Sequence, residues 1–250
     1  MQFKSFNMQR FVIDIGNTSV KFAVYDDDKM VMFQRKDNPE TEYIADIIKK
    51  YPEIGSAVLS SVRDYPDEID NLLNKHCYYL LLNSKTPLPY INKYATPDTL
   101  GKDRIALVAA AVKQFPEENV LVIDAGTSIT YDLVTKDGIY HGGGISPGIM
   151  MRFKALNTFT GKLPLITKID DTPLIGNTTE SSIMSGVLNG VVAEVEGIIV
   201  NYKQHFKNLR IIISGGDYKY FDKKLKNSIF AAPNIVMQGL KEILKFNEDN

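Results

Sequence analysis

Val12-Ile13-Asp14-Ile15-Gly16-Asn17-Thr18 and Val122-Ile123-Asp124-Ala125-Gly126-Thr127 are two renderings of one pattern. Each is an apolar run that ends in Asp-x-Gly and passes into a short, hydroxyl-bearing turn. Apolar runs of this length, closed by a glycine turn, read as buried strands. Each copy leads into a second strand. After the first, Val20, Phe22 and Val24 alternate with Lys21 and Ala23; after the second comes Ile129 to Val134. The copies lie about half the chain apart, which points to two domains of one fold made by duplication. A chance likeness of two buried strands is the alternative. The polar ends match as well as the apolar bodies, which weighs against it.

Outward from these repeats the pattern stays α/β. Met30 to Gln34 reads as a third strand beyond the Asp26-Asp27-Asp28 triplet, which reads as a solvated turn or, alternatively, a metal site. In the second copy Asp137-Gly138 signals a hairpin and Ile139-Tyr140 starts the third strand. Ile44, Ile47 and Ile48 share one helical face within Glu42 to Lys50. Ala57 to Ser61 and Tyr78 to Leu82 read as strands, and Pro66 to Lys75 as a helix. A turn-rich stretch with Pro87, Pro89 and Pro97 precedes a helix marked by Ile105, Val108, Val112 and Phe115. Gln114 to Asn119, containing Pro116, reads as a domain boundary. Later, Val187, Val191, Val195, Ile198 and Tyr202 form one helical stripe, and Gly186, Gly190, Ala193 and Gly197 a second face of small residues. That face suits tight packing inside the chain or a dimer contact.

Composition narrows the function classes. Of 250 residues, 44% are apolar and 24% charged, as in an ordinary globular protein. Lys and Arg number 29 against 30 Asp and Glu, so charge gives no case for nucleic acid or a membrane surface. The single cysteine, Cys77, excludes an internal disulfide and paired-thiolate zinc sites, and favours a reducing compartment. Three scattered histidines make no metal motif. No apolar run approaches the ~20 residues of a membrane span, and the first ten residues hold no apolar signal core before the first strand. The expected location is cytoplasmic.

Four glycine-bearing turns are expected at strand ends: Asp14 to Thr18, Asp124 to Ser128, Gly142 to Gly148, and Ser214 to Asp217. Glycine turns are ordinary hairpins when single. Four in one chain, two of them duplicated, suit phosphate cradles built from backbone N–H groups and hydroxyls, with Lys21 nearby to neutralise charge. GxGxxG and GxxxxGK[ST] are both absent, so any nucleotide site is of neither Rossmann nor P-loop type. Asp14 and Asp124 either cap their turns or hold a cation beside phosphate. Asp103, within Gly101-Lys102-Asp103-Arg104, is either a helix cap or a general base at a loop–helix junction. Arg104 beside it pairs with an anionic substrate or starts a solvated helix.

Taken in order, Asp14-Ile15-Gly16-Asn17-Thr18-Ser19-Val20-Lys21, Gly101-Lys102-Asp103-Arg104, Asp124-Ala125-Gly126-Thr127 and Gly143-Gly144-Ile145-Ser146-Pro147-Gly148 resemble type III pantothenate kinase, in the actin/hexokinase/Hsp70-like phosphotransferase superfamily. The likeness runs from Val12 to about Gly216. It implies an α/β fold of two RNase H-like domains, residues 1–116 and 117–250, with mixed sheets flanked by helices and ATP in a cleft between them. It implies phosphorylation of the primary hydroxyl of pantothenate, the first step toward coenzyme A. Residues Asp14, Ile15, Gly16, Asn17, Thr18, Ser19, Val20 and Lys21 would contact the ATP phosphates, with Asp14 near Mg²⁺. Asp103 would be the general base. Tyr94, Gly101, Lys102, Asp103, Arg104 and Thr179 would bind pantothenate, Thr178 being adjacent to the last. Asp124 would hold a monovalent cation, K⁺ or NH₄⁺, and Thr127 would touch ATP. The resemblance also implies a homodimer, with no nucleic-acid or membrane partner. Two features depart from the family pattern: about ten residues precede the first strand, and Lys102 fills a position often held by a small residue. Other readings are a kinase or phosphatase of the superfamily with another acceptor, and a regulator that keeps the fold without catalysis.

Overall fold

Asp14 and Asp124 stand near the ends of two central strands whose neighbours follow the same order. The computed structural model describes residues 8–168 and 172–249. The chain divides into two compact units: one runs to Lys113 and takes in the chain from Ile235 onward, the other is Gln114–Asn234.

In the first unit β1 (Gln9–Ile15), β2 (Val20–Asp26) and β3 (Lys29–Lys36) form an antiparallel meander. After α1 (Thr41–Lys50), β4 (Ile54–Ser61) returns parallel to β1; after α2 (Glu68–His76), β5 (Tyr78–Leu81) lies parallel to β4. The order is β3-β2-β1-β4-β5. Phe11, Val12, Ile13 and Ile15 are all buried, so helices cover both faces of β1. The two-residue strand β6 (Ile91–Asn92) and a 3₁₀ turn at Pro97–Thr99 lead to α3 (Lys102–Gln114).

The second unit repeats the plan. Its strands β7 (Val120–Ala125), β8 (Ser128–Val134) and β9 (Ile139–Pro147) form the meander. Helices α4 (Ile149–Thr158) and α5 (Thr179–His205) precede β10 (Arg210–Ser214), which is parallel to β7. Helix α6 (Tyr218–Lys224) precedes β11 (Phe230–Ala231), parallel to β10. The order β9-β8-β7-β10-β11 copies β3-β2-β1-β4-β5 strand for strand.

Three expectations need correction. First, residues 117–250 are not one domain: α7 (Ile235–Glu248) packs on β1 and β4 of the first unit. Arg10 donates to Glu248 (Nε–Oε2 3.0 Å), Ser56 also bonds Glu248, and the buried ammonium of Lys241 meets Asp28. The acidic triplet is thereby a turn pinned to the C-terminal helix, with Asp27 facing Lys245 at 3.8 Å. Second, Gly142 to Pro147 is strand rather than turn. It pairs with β8 from Gly142↔Leu133 to Pro147↔Ser128, its glycines admitting close approach of the neighbouring backbone. Third, α5 is long and apolar enough by length and composition to cross a membrane. Ile183, Val187, Leu188, Val191, Val195 and Ile199 are buried in the core of the second unit, which accounts for part of that apolarity.

Candidate active site

The antiparallel register sets Asp14 opposite Lys21, and the parallel register sets it beside Ser60. All three lie at the ends of their strands, where parallel strands of α/β sheets present their ligands. Lys21 Nζ is 3.1 Å from Asp14 Oδ2. Asp14 is only 6% exposed. Burial pushes its carboxyl above the ordinary value, against the downward pull of the Lys21 ammonium; the charge of Asp103 pushes it up further.

Between Ile15 and Val20 the chain makes a tight turn, Gly16 N–H donating to the Ser19 carbonyl at 3.0 Å. Asn17 and Thr18 are exposed at its tip. Ile15 and Val20 bury their side chains in the core, so those two positions offer a ligand only backbone groups. Ser19 is buried, and its hydroxyl accepts from Arg35 Nε at 2.8 Å. The sequence reading missed Arg35. Its only signal is register: it stands opposite Lys21 on β3.

Helix α3 starts at Lys102, so Asp103 lies in its first turn, where its Oδ1 accepts from Arg104 N–H at 2.8 Å. Lys102 does not point free: its Nζ donates to the Ser61 carbonyl at 2.9 Å, tying the helix start to the end of β4. Burial lowers its pKa. Arg104, 4% exposed, stacks over Tyr94 at 5.4 Å. A Cβ at Gly101 would meet Asp103 Oδ1 at 2.5 Å. The motif Gly101-Lys102-Asp103-Arg104 and Tyr94 thus form one constellation in the first unit.

In the second unit the corresponding turn repeats the bond, Gly126 N–H to Ser128 carbonyl at 3.0 Å. Thr127 is exposed at the tip and its carbonyl accepts from Gly148 N–H at 3.0 Å. Asp124 lies between Thr130 on β8 and Ser214 on β10. The position that holds Lys21 in the first unit is here Thr130, a neutral hydroxyl. Gly215 adopts φ +93°, and a Cβ there would sit 2.6 Å from Ala125 N. That close approach lets Asp217 N–H reach the Ala125 carbonyl at 2.9 Å. Burial raises the Asp217 carboxyl. Thr178 is the N-cap of α5, in a capping box with Ser181, and Thr179 is the exposed first residue of the helix. Thr179 lines a cavity of about 1320 Å³ with Pro147, Met151, Arg152, Leu156 and Leu163.

Among the described residues, no group of three or more His, Cys, Asp or Glu is placed to hold a metal by itself. Asp14 still fits Mg²⁺, which binds through one or two carboxylates plus substrate phosphates. At Asp124 the hydroxyl of Thr130, 5% exposed and without a hydrogen-bond partner, is an orphaned oxygen that suits a cation.

Similar proteins identify the fold and the family. A Baf family protein from Campylobacter jejuni has a like structure at TM-score 0.59, with 20% identity over 96% of this chain and 100% of that one. A ROK family glucokinase from Streptomyces griseus reaches 0.53 at 9% identity, over 95% and 99% of the chains. These likenesses identify the fold as the α/β actin-like type. In sequence, a type III pantothenate kinase of Christiangramia forsetii is 49% identical over 240 residues, 95% of this chain and 98% of its own. The family model for type III pantothenate kinase matches residues 10–201, which takes in every residue assigned above to the phosphate turn, the Gly101–Arg104 motif and the Asp124 turn. This chain belongs to the type III pantothenate kinase family.

Proposed function

We propose that this chain transfers the γ-phosphoryl group of ATP to the primary hydroxyl of pantothenate, with Asp103 as general base. The observation that supports the assignment is the bond from Lys102 Nζ to the Ser61 carbonyl, which ties the start of the helix bearing Asp103 to the end of β4, whose Ser60 stands beside Asp14. Asp103 orients the hydroxyl and accepts its proton late, as a loose transition state requires. Tyr94, Gly101 and Arg104 shape the pantothenate pocket, with Thr179 a further contact. Lys102 acts there through the Ser61 carbonyl, fixing where α3 begins. Backbone groups of Ile15 to Val20, the side chains of Asn17, Thr18 and Ser19, and Lys21 receive the ATP phosphates, and Thr127 touches the nucleotide.

Asp14 would hold Mg²⁺, which neutralises phosphate charge when bound. Asp124 and Thr130 would hold K⁺ or NH₄⁺, which supplies a fixed positive charge in place of a lysine. The working form is a cytoplasmic homodimer. The exposed small-residue face of α5, Gly186, Gly190, Ala193 and Gly197, suits close approach of a second copy. The test is ADP release with ATP, Mg²⁺ and pantothenate, with and without K⁺. Phosphopantothenate forming only with all four supports the reading. Turnover with another alcohol and none with pantothenate overturns it.

A further inference from the structure

We propose that Arg35 is a phosphate-binding residue of the ATP site, presenting its terminal guanidinium nitrogens to the polyphosphate; the proposal rests on the ATP reading above. Asp14, Lys21 and Arg35 occupy one transverse row on β1, β2 and β3, each opposite the next. Residues opposite one another across a ladder share a face of the sheet. The row therefore carries one negative and two positive side chains at the mouth of the Gly16–Ser19 turn.

Like charges directly opposite in a ladder are destabilising. The Lys21 ammonium is engaged by Asp14 at 3.1 Å, which leaves Arg35 as the excess charge. An edge strand such as β3 often carries cations simply to block pairing with other chains. Arg35 departs from that pattern. Its Nε is turned inward onto the buried hydroxyl of Ser19, at 2.8 Å. Among the described residues, its Nη groups make no hydrogen bond or ion pair with the protein. A guanidinium held by one nitrogen, with the other two available, is oriented for bidentate binding of a phosphate. The turn beside it offers backbone N–H groups at the same place. The ligand class that fits is a nucleoside polyphosphate, whose charge exceeds what one already paired lysine can neutralise.

The test is titration of Mg²⁺ with ATP, ADP and AMP onto the full chain, followed calorimetrically, for wild type, Arg35→Ala, Arg35→Lys and Ser19→Ala. Arg35→Ala should weaken ATP by roughly 10-fold or more, the scale of a charge-assisted hydrogen bond, and leave AMP nearly unchanged. Arg35→Lys should recover part of the loss. Arg35→Ala should still weaken ATP in the Ser19→Ala background, by less than in wild type because Ser19 no longer orients the guanidinium. Loss of that weakening would mean that Arg35 only props Ser19, and would overturn the proposal. So would equal weakening of ATP and AMP, or no weakening. Wild-type protein that binds no nucleotide would instead sink the ATP reading itself. Unchanged thermal melting separates these outcomes from misfolding.

Discussion

Lys21 reaches across the ladder to Asp14, Nζ to Oδ2 at 3.1 Å, yet the carboxyl of Asp14 still lies above its ordinary value because burial outweighs the pairing. In the unfolded chain that carboxyl ionises near pH ~4. A group whose native pKa is raised supports the fold while both states are protonated. That support is lost as pH rises through the native value. Asp14→Asn removes this loss, so at neutral pH the variant should melt no lower than wild type while turnover falls by roughly 10²-fold or more. Lys21→Met removes the downward pull, so the acid limb of the pH–rate profile should move to higher pH. An acid limb that stays put would show that Asp14 does not limit activity there.

Asp103 offers one carboxylate oxygen to Arg104 N–H, which fixes the group without neutralising it. Asp103→Asn keeps an acceptor for that bond and loses the base. Turnover should fall at least ~10²-fold with the KM for ATP little changed and the fold retained. Steady-state kinetics checks the split. Near-normal turnover would remove Asp103 from its role.

Lys102 separates two roles that the motif alone leaves merged. A substrate-binding ammonium would show its loss in the KM for pantothenate. An ammonium spent on the Ser61 carbonyl should show it in stability and turnover instead. Lys102→Met should cost about 1.5–3 kcal/mol in chemical denaturation, the range for a hydrogen bond from a charged donor. Turnover should drop as Asp103 loses its fixed start, with the KM for pantothenate within about twofold of wild type. A large rise in that KM would restore the substrate role.

The duplicated Asp-x-Gly turns were legible because buried strands and glycine turns are local signals, and each appears twice. Asp14, Asp103 and Asp124 stand out as candidates because each sits inside a short contiguous motif. The place of helix α7 was not legible, because nothing in Ile235–Glu248 records that its apolar face packs on the sheet that contains β1 and β4. The strand Ile139–Pro147 was misread at its end because glycines that mark turns also mark close strand contacts. Arg35 and Thr130 were invisible for a third reason: their partners are set by strand register, which the sequence does not print.

Thr130 gives the sharpest test of the cation site. Its hydroxyl is buried opposite Asp124 with no hydrogen-bond partner, and an unmet buried hydroxyl costs about 1–3 kcal/mol. A bound cation would satisfy that oxygen. Thr130→Val keeps the shape and deletes the polar atom, so the apo protein should gain about 1 kcal/mol in denaturant titrations. If the hydroxyl is a cation ligand, the same variant should need several-fold more K⁺ for half-maximal activity. Asp124→Asn should lose K⁺ stimulation more completely, because it removes the charge rather than one neutral oxygen. Together these give opposite signs for Thr130→Val, more stable and less responsive to K⁺. A variant that is more stable with an unchanged K⁺ requirement would leave Asp124 without Thr130 as its partner.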